Sequence, residues 1–264
     1  MNYLEAAALG FLQGPTEFLP VSSSGHLRIL EEFFGLREPE TLFDIILHAG
    51  SLAAVLFFFR KDISRIIVSL FSGKNDGSRQ GEKILAAIVI ASLPTAIIGL
   101  LLGDFFENTL SSIPFVGTFL IINGFILLST RARKSIQPAE EITPLKAAFI
   151  GVSQGVAILR GISRSGTTIT TAIHLGVKPE NAMSFSFLIS IPAITGALIL
   201  KSPEIHGSVF PAGVYLTGAV VSALSGFLAL KILKKVMEKM ILHYFAPYSI
   251  AAGAITLLVW HFFL

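Results

Sequence analysis

No cysteine occurs anywhere in the 264 residues, which excludes disulfides, thiolate catalysis and Cys-ligated metal sites and leaves the redox compartment unread. Charge is scarce too. Asp, Glu, Lys and Arg make up 14% of the chain, against about 25% in soluble domains. The N-terminus, Met1-Asn2-Tyr3-Leu4-Glu5, lacks the basic stretch and small-residue cleavage site of a secretory leader, so no cleaved signal peptide is expected. What remains is apolar: 53% of residues are hydrophobic and the mean hydropathy is +0.74, so the solvent of this chain is lipid. A net charge of +3 and a pI near 9.2 do not indicate nucleic acid, because the basic residues fall between apolar runs rather than along one polar face.

Six runs are long enough, at about 20 residues each, to cross a hydrocarbon core as helices. They lie near 41–59, 84–102, 113–130, 180–200, 209–230 and 245–264. Two further apolar segments, 4–34 and 145–176, are interrupted mid-way by Pro, Gly and clustered Ser. Broken backbone at membrane depth must be shielded by protein or line a wet cavity, so both read as re-entrant helical hairpins. They resemble each other at an offset of 141 residues: Gly10-Phe11-Leu12-Gln13-Gly14 matches Gly151-Val152-Ser153-Gln154-Gly155, and Val21-Ser22-Ser23-Ser24-Gly25 matches Ile162-Ser163-Arg164-Ser165-Gly166. Two matches in register, each followed by three expected spans, point to duplication. An odd number of crossings between the copies makes the second inverted.

The expected fold class is therefore an all-α polytopic membrane protein, with six transmembrane helices and two re-entrant hairpins in an inverted-topology repeat. It forms a single membrane domain over 1–264, with repeat 1 at 1–130, repeat 2 at 144–264 and a cytoplasmic linker at 131–143. One side carries Arg60, Lys61, Arg65, Lys74, Arg79, Lys83, Arg131, Arg133, Lys134, Lys146, Lys178, Lys231, Lys234, Lys235 and Lys239. The other carries Arg28, Arg37 and Lys201. By the positive-inside rule the first side is cytoplasmic, and both termini and the mouth of the first hairpin face outward. Trp260 and Tyr248 read as interfacial anchors of the last span. Gly99, Gly103, Gly117 and Gly124 would permit close helix contacts, within one molecule or in a homodimer.

Once the loop charges are set aside, Glu17, His26, Arg160 and Arg164 remain at membrane depth, with Asp44 and His48 expected to be wet groups near the outer end of the first span. An unpaired charge at a helix centre costs at least about 2.5 kcal/mol, so a partner or a function is expected. In Glu17-Phe18-Leu19-Pro20-Val21-Ser22-Ser23-Ser24-Gly25-His26, Pro20 ends the incoming helix and the three serines cap the outgoing one. Its first N–H groups then form an anion site. Ser23 and His26 would share a face, with Glu17 reaching back toward it. Gly161-Ile162-Ser163-Arg164-Ser165-Gly166-Thr167 supplies a second broken helix and an arginine suited to bidentate phosphate binding. Taken singly each element has a duller account: serines satisfy freed backbone groups, a Glu–Arg pair holds register, and an interior histidine is simply hydrogen-bonded. Together they make a site for a phosphate ester or diphosphate with acid and base groups at hand.

Gln13-Gly14-Pro15-Thr16-Glu17-Phe18-Leu19-Pro20-Val21-Ser22-Ser23-Ser24-Gly25-His26 and Gly161-Ile162-Ser163-Arg164-Ser165-Gly166-Thr167 resemble the two signature motifs of the undecaprenyl-diphosphatase family, also called the bacitracin-resistance family. The resemblance covers essentially the whole chain. It implies a multi-pass protein of the bacterial plasma membrane whose outward-facing site removes the terminal phosphate of undecaprenyl diphosphate, recycling the lipid carrier of cell-wall synthesis. It carries Glu17 and His26 over as an acid/base or orienting pair, Ser23 as nucleophile and Arg164 as phosphate ligand. Gln13, Ser22, Ser24, Ser163, Ser165 and Thr167 would line the substrate. Either Glu17 or His26 would activate Ser23, and attack by water or by His26 itself stands beside that route.

Two positions depart from the family pattern. Gln13 stands where many members carry Glu, and an amide cannot act as base. This lowers the expectation of a built-in metal, though Mg²⁺ or Ca²⁺ accompanying the diphosphate stays compatible. Arg160 precedes the second motif, where a neutral residue is common, and would add a phosphate ligand or pair with Glu17. Two rival readings are a carrier of polyprenyl phosphate, since inverted repeats with broken helices suit alternating access, and an inert scaffold, which leaves the paired polar breaks unexplained.

Overall fold

A computed structural model describes residues 1–34, 41–71, 76–133, 141–204 and 210–263. Arg37, Lys74, Lys134 and most of the 131–143 linker lie outside the described residues. Every regular element among the described residues is helical: α1 Tyr3–Phe18, α2 Ser23–Phe34, α3 Thr41–Phe58, α4 Arg60–Phe71, α5 Asp76–Thr109, α6 Ile113–Leu128, α7 Pro144–Val156, α8 Arg164–His174, α9 Pro179–Lys201, α10 Ala212–Glu238 and α11 Ala246–Phe263, with short 3₁₀ turns after α6 and α9 and before α11.

Among the described residues, five stretches are long and apolar enough to cross a membrane: Gln80–Thr109, Ile113–Ala132, Pro179–Lys201, Ala212–Glu238 and Leu242–Phe262. They coincide with five of the six expected spans. The sixth, expected at 41–59, is α3, which bends by 70° into α4. The reason is compositional: the apolar run ends at Phe59, and Arg60, Lys61 and Asp62 open α4 with charges that belong at a polar interface. The fold is thus an all-α polytopic membrane protein, and its surface agrees. Leu93, Ile97, Leu100, Leu101, Leu224 and Leu228 are all exposed, as lipid-facing side chains must be.

The two broken segments are packed into the body. Helix α1 runs along α10, and α7 along α5. Small residues make the close approach possible. A methyl group placed on Gly10 would lie 3.2 Å from the Ser222 nitrogen of α10, and one on Gly151 would lie 2.7 Å from the Ala91 Cα of α5. Helix α6 packs on α11, where Gly117 faces Leu257 and Gly124 faces Ile250, so these two glycines serve contacts within the molecule. Phe18, at the end of α1, is fully buried, with its ring 5.6 Å from that of Phe187 on α9. Phe59 stacks on the same ring at 5.7 Å. This aromatic cluster seats the first break against α3 and α9.

Candidate active site

Helix α1 ends because Pro20 follows its C-cap, Leu19, whose N–H closes on the Pro15 carbonyl. The chain turns through Ser22 at φ +69°, a left-handed conformation that a non-glycine residue adopts only where its surroundings hold it. Those surroundings are visible. The Ser22 hydroxyl oxygen accepts from the Gly25 N–H at 3.3 Å and from the Gly161 N–H of the other break at 3.2 Å. Gly161 itself sits at φ +108° and lies where any Cβ would meet the Val116 carbonyl at 2.6 Å, so only glycine fits. Of the three serines expected to cap α2, Ser22 alone receives an α2 N–H. Ser24 meets the Ser22 hydroxyl at 3.4 Å, and Ser23 is left for another role.

The second break repeats the device: Ser163 caps α8 by accepting from the Gly166 N–H at 3.1 Å, and Ser165 contacts Ser163 at 3.2 Å. Both are buried, as are Gln13 and Thr167. Asn123, fully buried on α6, ties the breaks together. Its amide donates to the Pro20 carbonyl at 2.9 Å and to the Ser249 hydroxyl at 3.1 Å, while its oxygen accepts from the Ser163 N–H at 3.0 Å. Sequence reading passed over Asn123, although a lone amide inside an apolar span is a signal of interhelical bonding.

At the junction lies Glu17, its side chain only 7% exposed. One carboxylate oxygen accepts from the Arg164 guanidinium at 2.5 Å. The other accepts from the Ser23 hydroxyl at 2.7 Å and from the Gln13 amide at 3.3 Å. Glu17, Ser23, Arg164 and Gln13 are thus brought together as expected. The second guanidinium nitrogen of Arg164, Nη1, is buried without a hydrogen-bond partner among the described residues, and so is the Thr167 hydroxyl.

Three expectations are corrected by the geometry. His26 does not turn toward Ser23 or Glu17: its Nδ1–H donates to the Ser22 carbonyl at 2.7 Å, which leaves Nε2 to accept from the Tyr248 hydroxyl at 2.7 Å. The two rings stack with centroids 5.7 Å apart. Tyr248, expected as an interfacial anchor, is therefore a partner of the motif histidine. Arg160 pairs with Glu107 at 2.9 Å, not with Glu17, because the break carries it to the end of α5, where Lys201 also approaches Glu107 at 3.8 Å. His48, expected to be a solvated surface group, instead places Nδ1 3.0 Å from the Gln13 amide and 3.7 Å from Glu17.

Fold and site together define a class: a polytopic helical membrane protein with a hydroxyl, a carboxylate and an arginine enclosed where two broken helix pairs meet. A model of the bacitracin resistance protein BacA family matches residues 6–255. Curated relatives named undecaprenyl-diphosphatase include those of Syntrophotalea carbinolica, 41% identical over 96% of this chain and 97% of its own, of Desulfosudis oleivorans, 40% identical over 97% and 98%, and of Methanosphaera stadtmanae, 38% identical over 98% of each. The chain belongs to the bacitracin-resistance, undecaprenyl-diphosphatase family.

Proposed function

We propose that this protein hydrolyses a polyprenyl diphosphate, undecaprenyl diphosphate by the name its relatives carry, to the lipid monophosphate and inorganic phosphate. The observation that carries the chemistry is the Ser23–Glu17–Arg164 array: a hydroxyl 2.7 Å from a carboxylate beside a guanidinium whose Nη1 donor is unspent. A hydroxyl becomes a competent nucleophile when a base within hydrogen-bond reach takes its proton. An unspent arginine donor, with the N–H groups at the start of α2, offers a phosphate the charge-assisted bonds it needs. Ser23 Oγ attacks the terminal phosphorus as Glu17 accepts its proton, and the anhydride P–O bond breaks to release the lipid phosphate. Water then displaces Ser23 from the phosphoryl group and restores its hydroxyl. His26, held by Ser22 and Tyr248, orients the start of α2 rather than activating Ser23.

Both Glu17 oxygens accept hydrogen bonds, one from Arg164 and the other from Ser23 and Gln13, so Glu17 acts in this proposal as a base and as the partner of Arg164 rather than as a metal ligand. A Mg²⁺ or Ca²⁺ arriving with the diphosphate would neutralise charge on the phosphate oxygens.

The topology belongs to the same proposal. Repeat 1 (1–130) and repeat 2 (144–264) form an inverted pair around one site, in which α1–α2 and α7–α8 are re-entrant hairpins and α3, α5, α6, α9, α10 and α11 are the six spans. Supporting this, α1 and α7 start 141 residues apart, as do α2 and α8, and the equivalent residues Gln13 and Gln154 are both buried. Each hairpin's first helix packs on the other repeat's long helix. At 16 residues, α1 is about 24 Å long and α7 is shorter, less than the roughly 30 Å of a hydrocarbon core. The distribution of basic residues over the loops supports a site whose mouth faces outward. A carrier built on this scaffold would need the arginine but not a serine bonded to a carboxylate, which is what favours hydrolysis. Phosphate release from a polyprenyl diphosphate in detergent micelles tests the proposal: turnover is expected, and lipid binding without release would overturn it.

A further inference from the structure

We propose that His48 is a proton-relay residue of the site, taking from Glu17 the proton that Ser23 gives up and passing it to solvent, a role that rests on the hydrolytic function above. The chemistry requires such an exit. A diphosphate ester trianion plus water yields a lipid phosphate dianion, a hydrogen phosphate dianion and one proton, so each turnover sets a proton free. That proton first lands on Glu17, which is 7% exposed and cannot hand it directly to bulk water. His48 is the neighbouring imidazole, its side chain 29% exposed against 7% for Glu17, and it stands one turn after Asp44 in the first half of α3, toward the end of that helix where water would reach it.

The geometry around Gln13 prepares the transfer. Its amide nitrogen lies 3.3 Å from Glu17 Oε2 and 3.0 Å from His48 Nδ1. The opposite amide orientation would set oxygen against a carboxylate, so the NH₂ group faces both acceptors. Nδ1 of His48 is then a lone pair and the ring proton sits on Nε2. Nδ1 stands 3.7 Å from the carboxylate oxygen that receives the Ser23 proton, and an approach of about 1 Å brings the two within hydrogen-bonding range. Transfer breaks the Glu17 O–H bond and forms the Nδ1–H bond. Glu17 returns to a carboxylate paired with Arg164, and the imidazolium releases its Nε2 proton to water. The Gln13 carbonyl oxygen, buried without a partner, is the acceptor that a half-turn of the amide would present to the new Nδ1–H. The second proton balance closes within the site: Glu17 takes one proton from the attacking water, hydroxide oxygen joins phosphorus, and Glu17 returns the proton to Ser23 as the phosphoserine bond breaks.

The charged groups around the ring are few. Glu17 on α1 faces it directly, with Arg164 of α8 behind, and Asp44 stands one turn earlier on α3. On the elements packed against α3, the other ionisable residues lie toward the ends: Tyr3 and Glu5 on α1, Glu180 and Lys201 on α9, Glu204 on the 3₁₀ turn after it, Tyr215, Lys231, Lys234, Lys235 and Glu238 on α10, and Arg60, Lys61, Asp62 and Arg65 on α4. His48 acts through Glu17 and touches no reacting atom, so it is a positioning and relay residue whose signature is in the pH profile.

The test uses the full-length protein in micelles with a polyprenyl diphosphate, measuring kcat and KM across pH for the intact protein, His48→Asn and the double variant Gln13→Glu with His48→Asn. Asparagine keeps an acceptor for the Gln13 amide but cannot titrate. Expected is a fall in kcat of about 100-fold, a KM within about twofold, and loss from the kcat profile of the pH-dependent step that His48 contributes. The added carboxylate is expected to recover much of kcat. Intact turnover with an unchanged kcat, or a lowered kcat with an unchanged pH profile, overturns the relay. No release by the intact protein at any pH overturns the hydrolytic function and the relay with it. Should His48→Asn fail to fold, His48→Gln carries the same readings.

Discussion

Arg164 Nη2 donates to Glu17 Oε1 at 2.5 Å across 147 residues of sequence, joining the start of α8 to the end of α1. Nη1 has no hydrogen-bond partner among the described residues, so the guanidinium that holds the carboxylate keeps a donor unused. Arg164→Lys keeps the charge and loses the fork, and phosphate release is expected to fall at least about 100-fold with KM raised. Arg164→Ala leaves Glu17 enclosed and unpaired, a change that costs about 3 to 5 kcal/mol, so thermal unfolding in detergent should come markedly earlier.

Ser23 is the only one of the three clustered serines whose hydroxyl meets Glu17. Ser23→Ala is expected to remove phosphate release by more than about 100-fold while leaving the melting temperature close to that of the intact protein. Acid-quenched turnover should yield phosphate covalently attached to the peptide containing Ser23. Finding none, with Ser23→Ala still active, would transfer the attack to water.

Asn123 serves three partners at once. Asn123→Ala leaves the Ser163 N–H and the Pro20 carbonyl buried and unpaired, each at about 1 to 3 kcal/mol. Both breaks are expected to loosen together, read as a lower melting temperature and a fall in turnover of the same variant. Asn123→Asp would restore an acceptor for Ser163 but none of the donors, and should recover little.

Gly10 and Gly151 occupy equivalent places where α1 meets α10 and α7 meets α5. Leucine at either position would force the helices apart, and overpacking of this kind costs about 1 to 3 kcal/mol or more. Gly103 has open space around the position of a Cβ, so Gly103→Leu should be tolerated. Folded yield after size-exclusion chromatography in detergent separates the three: loss for the first two, none for the third.

Much of this architecture is legible in the chain because its signals are local. Apolar runs of span length, charges that end them and Pro-Ser-Gly breaks act through neighbouring residues; they locate α3, α5, α6, α9, α10 and α11, although α5 and α10 run on past the expected 84–102 and 209–230. The bend after Phe58 escaped because an apolar run does not reveal its angle to the next helix. Glu17, His26, Arg160 and Arg164 were legible as charges at membrane depth that need partners or a function; Glu17 and Arg164 meet each other and Ser23, while His26 and Arg160 find Tyr248 and Glu107.

The sequence by itself determined that the protein lives in a membrane, where its helices break, and which few polar residues must find one another there. Only the tertiary structure decided the pairings. His26 meets Tyr248 across 222 residues, Gln13 meets His48 across 35, Arg160 meets Glu107 across 53 and Asn123 reaches Pro20 across 103. Helical periodicity says which residues share a face of one helix, but which face meets which neighbour is set by close packing of all the helices at once.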